Sequence, residues 1–142
     1  LDAGAAHVIV TNEEDLAIRV LEITGGKGAE ILFDAVAGPM LTQLAKAAAY
    51  GATIFEYGAL SLESTPFPLM LALDKSLKVQ GYTLFHLMKS DAKERGKKYV
   101  YDGLKSGKLK TVIDRVFPFD QLAEAHRYME SNQQSGKIVV KV

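Results

Sequence analysis

The sequence predicts an α/β fold built on a parallel sheet, and three observations predict it. Short apolar or β-branched runs alternate with helical segments of roughly 10–15 residues, the spacing of right-handed βαβ crossovers. Runs such as "EILFDAV" are apolar at successive positions, not at alternate ones, the pattern of strands covered on both faces. Glycine or proline marks nearly every junction, where turn chemistry belongs.

The elements follow in order. "HVIV" (His7–Val10) is a β-branched run that reads as a strand. "TNEEDLAIRVLEITGG" has a Thr/Asn start, early acids and apolar Leu16, Val20, Leu21 and Ile23, an amphipathic helix closed by Gly25. "EILFDAV" is the next strand, and "MLTQLAKAAAY" a helix that starts after Pro39, a favourable first-turn residue. "GATIFEYG" (Gly51–Gly58) is a third strand, "LSLESTPFP" a loop, "PLMLALDKS" a helix and "LKVQGYTLF" (Leu77–Phe85) a fourth strand. "SDAKERGKKYVYDGLKSGKL" then reads as one charged helix from an N-cap at Ser90 to a stop near Gly107. A strand "TVIDRVFP", a helix "FDQLAEAHRYMESN" and a last strand "GKIVVKV" complete the chain. A soft boundary falls near residues 86–90.

Composition narrows the function classes. A chain of 142 residues is one domain's worth and can bury a real core. Seventeen basic residues balance seventeen acidic ones, so nucleic acid and anionic membranes are not expected as main partners. There is no cysteine, which excludes disulfides and Cys-ligated zinc within this stretch and fits a reducing, cytoplasmic setting. No apolar run approaches the roughly 18 residues of a membrane helix. The three histidines, His7, His86 and His126, show no metal-ligand spacing. No G-x-S-x-G elbow is present, and "SGK" at Ser135 lacks the upstream glycine of a P-loop. The first residues, "LDAGAAHVIV", lack Met and read as the end of a helix, so a fragment is expected, with a processed N-terminus as the alternative.

One feature of the strands concerns function. "DAVAG", "EYGAL" and "QGYTLF" each bring a strand to small residues or glycine at or near its carboxyl end. In open parallel sheets ligands sit at those ends, and bare backbone lets a ligand approach closely. The alternative is that each glycine serves a strand–helix turn. Asp34, an acid at a strand end, could mimic a ribose-binding carboxylate; it reads instead as support for the turn and for the following helix N-terminus.

"DAGAAHVI", "FDAVAG", "GATIFEYG" and "KVQGYTLF", in that order, together with the ending "VFPFDQLAEAHRYMESNQQSGKIVVKV", resemble the C-terminal half of medium-chain dehydrogenases/reductases. The ending, with its Phe-Pro, Ala-Glu-Ala-His helix and Gly-Lys-Ile-Val, is most similar to the zinc-independent quinone oxidoreductase branch. The resemblance implies a partial Rossmann-type parallel sheet lacking the first two strands. Residues 1–88 would form this truncated dinucleotide-binding domain. Residues 89–142 would supply a long helix and a strand–helix–strand segment that returns to a catalytic domain, and that segment should pack less tightly than residues 30–85. It also implies NADPH as cofactor, with NADH not excluded, and hydride transfer to a small quinone or conjugated carbonyl. The backbones of Tyr57, Gly58 and Ala59 would lie along the nicotinamide. The Tyr82 carbonyl and Leu84 N–H would hold its carboxamide, Ala35, Val36 and Ala37 would pack near its ribose, and Lys137 would neutralise the pyrophosphate. Thr11 stands where relatives often carry a tyrosine near the adenosine. No side chain is implied as catalytic and none as a metal ligand. The strand at 77–83 would be the edge of a homodimer.

The phosphate fingerprint G-x-G-x-x-G is not here. "GGKGAE" (Gly25–Glu30) precedes a strand where the fingerprint should follow one, and reads as a helix stop and loop. With strand order 3-2-1-4-5-6, His7–Val10 would be strand 3 without its neighbour. It would then pair directly with strand 4, exchange with another copy, or belong to a longer molecule. The chain alone is expected to be inactive. A zinc-dependent alcohol dehydrogenase of the same superfamily and a non-catalytic nucleotide-binding or interaction module remain as alternatives.

Overall fold

The computed structural model describes residues 3–142, in two units, Leu1–His86 and Leu87–Val142. The first unit contains helix α1 (Leu16–Ile23), strand β1 (Ala29–Asp34), helix α2 (Met40–Ala47), strand β2 (Ala48–Glu56), helix α3 (Leu69–Asp74) and strand β3 (Lys78–Gly81). A one-turn helix α4 (Leu84–Leu87) follows, across the boundary in the chain. The second contains helix α5 (Ala92–Lys105), strand β4 (Ile113–Pro118), a 3₁₀ turn at Phe119–Gln121, helix α6 (Leu122–Glu130) and strand β5 (Lys137–Lys141). Among the described residues no helix is long and apolar enough to cross a membrane.

The first unit is a three-stranded parallel sheet in the order β1-β2-β3. Its core is one cluster in which Leu32 and Ile54 of the sheet meet Leu41 and Ala45 of α2, with Ala48 and Ala52 beneath them. Ile54 is fully enclosed. Burying a side chain of this size stabilises the fold by about 1.5–3 kcal/mol. Alanines at 45, 47, 48 and 52, each 2% exposed or less, leave room for α2 to lie close on the strands.

Local chemistry sets the element ends. The helix predicted from Thr11 begins instead at Leu16, because the Asp15 carboxylate accepts the Ile18 N–H at 2.9 Å and so caps it. Its far end closes as predicted: Gly26 N–H donates to Leu21 O at 2.7 Å and Gly25 N–H to Glu22 O at 3.3 Å, with both glycines at positive φ. This is a Schellman closure, and it confirms that the glycine cluster is a helix stop. Helix α2 ends three residues before the predicted Tyr50, because the chain turns extended at Ala48 and joins β2. Lys75 holds that end. Its ammonium donates to Ala45 O (3.2 Å), Lys46 O (2.7 Å) and Ala48 O (2.8 Å), at the negative end of the helix dipole.

Three expectations need correction. His7–Val10 is not a strand; a β-branched run needs a neighbour to take its backbone hydrogen bonds, and among the described residues β1 pairs with β2 alone. Among the described residues of the first unit the sheet is covered on one face: Leu32 and Asp34 are buried, while Ile31 (63% exposed) and Phe33 (66% exposed) face away from α2. On that open face Phe33 stacks on Phe55 with centroids 5.1 Å apart, and Tyr57 and Tyr82 continue the row edge-on. The fourth predicted strand, Leu77–Phe85, is shorter, since β3 stops at Gly81 and Leu84 opens α4.

In the second unit β4 and β5 pair in parallel. The Arg115 guanidinium lies 4.1 Å from the Tyr128 ring centroid, and the Tyr128 hydroxyl donates to Asp114 Oδ2 at 2.8 Å. Among its described residues Phe117 and Ala125 are the buried hydrophobic ones, the looser packing that the sequence predicts for this segment.

Candidate functional site

The carboxyl ends of the three strands finish level. Asp34 lies opposite Glu56 and Glu56 opposite Gly81. From Asp34 the chain folds back on itself, because the buried Asp34 carboxylate accepts Val36 N–H at 2.7 Å and Ala37 N–H at 3.2 Å. This is an Asx-type turn, the turn support expected of Asp34. Ala37 sits at φ 59, in the left-handed region that costs an L-residue about 1–2 kcal/mol. Gly38 N–H is tied to Thr65 Oγ1 at 2.9 Å.

The segment after β2 lies along this turn. Tyr57 N–H donates to Asp34 O (2.9 Å), Leu60 N–H to Ala35 O (3.1 Å) and Ser61 N–H to Val36 O (2.8 Å). Gly58 makes the approach possible, since a Cβ there would stand 2.6 Å from Ala35 O. The bareness at this glycine therefore serves chain-to-chain contact. From the third strand Tyr82 N–H reaches Glu56 O at 2.8 Å. On the uncovered face Phe33, Tyr57 and Tyr82 line an open pocket of about 320 Å³.

Six of the sequence-predicted residues, Ala35, Val36, Ala37, Tyr57, Gly58 and Ala59, are thus laid side by side on two adjoining segments. Tyr82 joins them through Glu56. Leu84 begins α4, where a first-turn N–H has no acceptor within its own helix. Lys137 opens β5 in the second unit, its backbone N–H bonded to Val112 O at 2.8 Å. Thr11 lines a separate pocket of about 190 Å³ with Glu14, Asp15, Leu16, Met40 and Gln43.

The residue that the sequence reading passed over is Glu56. Neither of its carboxyl oxygens meets a hydrogen-bond donor among the described residues, and both are sheltered from solvent. Burial raises its pKa, and the neighbouring Asp34 carboxylate raises it further. Its register partner on the adjacent strand is Asp34. The signal was in the sequence: two acids, each ending a strand that stops before a bare turn, must meet if the strands are level neighbours.

Chemically, small backbone at 35, 37, 58 and 59 beside three aromatic rings suits a flat ring carrying hydrogen-bonding substituents. Among the described residues no three His, Asp or Glu side chains converge on a point.

Comparison with known proteins agrees on kinship. Residues 3–140 match the zinc-binding dehydrogenase family. The chain is 30% identical over 140 residues to 2-haloacrylate reductase of a Burkholderia species, covering 96% of this chain and 42% of that protein. It is 27% identical over 135 residues to a probable quinone oxidoreductase of Schizosaccharomyces pombe, covering 93% and 40% respectively. The crystal structure of an NAD-dependent alcohol dehydrogenase superposes with a TM-score of 0.84 at 29% identity, over 98% of this chain and 38% of that one.

Proposed function

The chain belongs to the zinc-binding dehydrogenase family, within the medium-chain dehydrogenases/reductases, and we propose that it is the cofactor-domain portion of an NAD(P)H-dependent oxidoreductase. It spans about two fifths of the length of the relatives it matches. The observation that carries the reading is the level meeting of strand ends at Asp34, Glu56 and Gly81, each followed by small residues or glycine within a few positions. That arrangement offers a bare shelf at the position where open parallel sheets bind ligands.

When bound, a nicotinamide cofactor supplies the hydride. The chain's own residues bind and orient. The backbone of Tyr57, Gly58 and Ala59 forms the shelf, Ala35–Ala37 its rim, and Tyr82 O with Leu84 N–H the contacts that select which ring face is presented. Lys137 supplies positive charge for the pyrophosphate. NADPH is the first cofactor to test and NADH the second. The acceptor class is a quinone or a conjugated carbonyl, in keeping with the relatives named as a haloacrylate reductase and a quinone oxidoreductase. Alcohol oxidation, suggested by the NAD-dependent alcohol dehydrogenase, is the second reading. The chain alone holds part of a cofactor cradle and turns over no substrate, and the free edge of β3 is proposed as a dimer contact.

The test is a fluorescence titration with NADPH and NADH. Binding that saturates, and weakens when Gly58 or Lys137 is replaced, supports the reading. Indifference to both nucleotides at millimolar concentration would leave the non-catalytic interaction module in its place.

A further inference from the structure

We propose that Glu56 is a positioning residue, whose protonated carboxyl donates to the Asp34 carboxylate and so holds the turn at 35–38 in its closed form. Several observations converge on it. The two acids are register partners on adjacent parallel strands. Asp34 is 3% exposed and already accepts two backbone N–H bonds. A carboxylate offers about four lone-pair sites, so room remains for one more donor. Glu56 has two sheltered oxygens and no other partner among the described residues. Leaving a buried polar group unmatched is costly, and a proton held between the two carboxyls resolves it.

The consequence reaches the whole shelf. Asp34 O holds Tyr57 N–H, and Glu56 O holds Tyr82 N–H. Both main-chain contacts come from the residues whose side chains share the proton. If Glu56 releases that proton to solvent, Asp34 loses a donor and faces a second negative charge. The turn at Val36 and Ala37, where Ala37 is already in the left-handed region, is then held by two N–H bonds against that repulsion.

Other charges do not interfere. On β3 the register partner of Glu56 is Gly81. The ionisable groups on the helices of this unit are Arg19 and Glu22 of α1, Lys46 of α2 and Asp74 of α3, with Lys75 just beyond it, and Glu63 lies beside Gly38 of the turn. Besides burial, Asp34 is the one group found to act on Glu56. The sign follows from the raised pKa. The protonated form is favoured by folding, so its stabilisation is fully present at and below the ordinary glutamate range. It is lost as pH rises through the raised value. Because the two acids interact, the midpoint belongs to the pair.

The test is an amide NMR pH titration of the intact chain without nucleotide, followed at Val36 and Ala37. The proposal predicts an inflection above the ordinary glutamate range, and a several-fold rise across it in the exchange of Ala37 N–H after correction for intrinsic rates. Glu56→Gln, whose amide can donate to Asp34 without titrating, should remove the inflection and keep the low-pH shifts. Should that variant fail to fold, the carboxyl carbon shift of Glu56 in the unmodified chain reads the same titration directly. Unchanged titration of Val36 and Ala37 in Glu56→Gln, or a Glu56 carboxyl that titrates in the ordinary range, overturns the proposal. No cofactor enters the experiment, so its failure is separate from failure of the oxidoreductase reading on which the importance of the shelf rests.

Discussion

Replacing Gly58 by alanine is the most informative single perturbation of the shelf. The new Cβ would lie 2.6 Å from Ala35 O and 3.1 Å from Ala35 Cα, where ordinary contact begins at 3.4 Å. The two segments must therefore part by about 0.8 Å at the oxygen. Backbone stands on both sides, so no rotamer change relieves the clash. The nearest bonds that would stretch are Leu60 N–H to Ala35 O at 3.1 Å and Ser61 N–H to Val36 O at 2.8 Å. Lengthening by that amount takes either one beyond useful hydrogen-bond distance. Overpacking of this kind costs about 1–3 kcal/mol. Gly58 does not occupy the left-handed region, so backbone strain adds nothing and the cost is steric. Urea unfolding of Gly58→Ala should show a loss in that range with the m-value unchanged, and nucleotide binding should weaken with it. A loss below about 0.5 kcal/mol would show that the segments yield freely, and the argument from close approach would fail.

Other perturbations follow the same logic. Lys75→Met removes three charge-assisted bonds from the end of α2 and should lower unfolding free energy by about 1.5–3 kcal/mol, read by the same denaturation. Ile54→Ala empties the centre of the core and should cost about 2–5 kcal/mol, seen as a lower melting temperature. Ala37→Gly relieves the φ of 59 while giving up a buried methyl and adding unfolded-state entropy, so a net change under about 1 kcal/mol is expected. Ala37→Val places a β-branched residue at that φ and should be clearly worse than Ala37→Gly in the same melt.

The alternation of strand and helix was legible because each segment carries its own evidence. Pro39 opens α2, the glycines at 25 and 26 close α1, and "EILFD" and "TIFE" are plainly strands. The bare residues after each strand were legible for the same reason; that the strands finish level was not, since it depends on register. What escaped depends on neighbours. His7–Val10 has the composition of a strand, yet composition does not supply the partner that takes its hydrogen bonds. Apolarity on both faces of β1 records what Ile31 and Phe33 could bury, not what covers them. Lys75 lies nearly thirty residues from the carbonyls it caps, and no local pattern announces such a reach. Glu56 and Asp34 meet only once register is known.

The central claim is that the ends of β1, β2 and β3 form a nicotinamide shelf. Its most direct test is an amide chemical-shift map of the chain during an NADPH titration. The account predicts perturbations concentrated at residues 35–37, 57–59 and 82–84. Shifts confined to other surfaces, with those three segments unmoved at saturation, would contradict it.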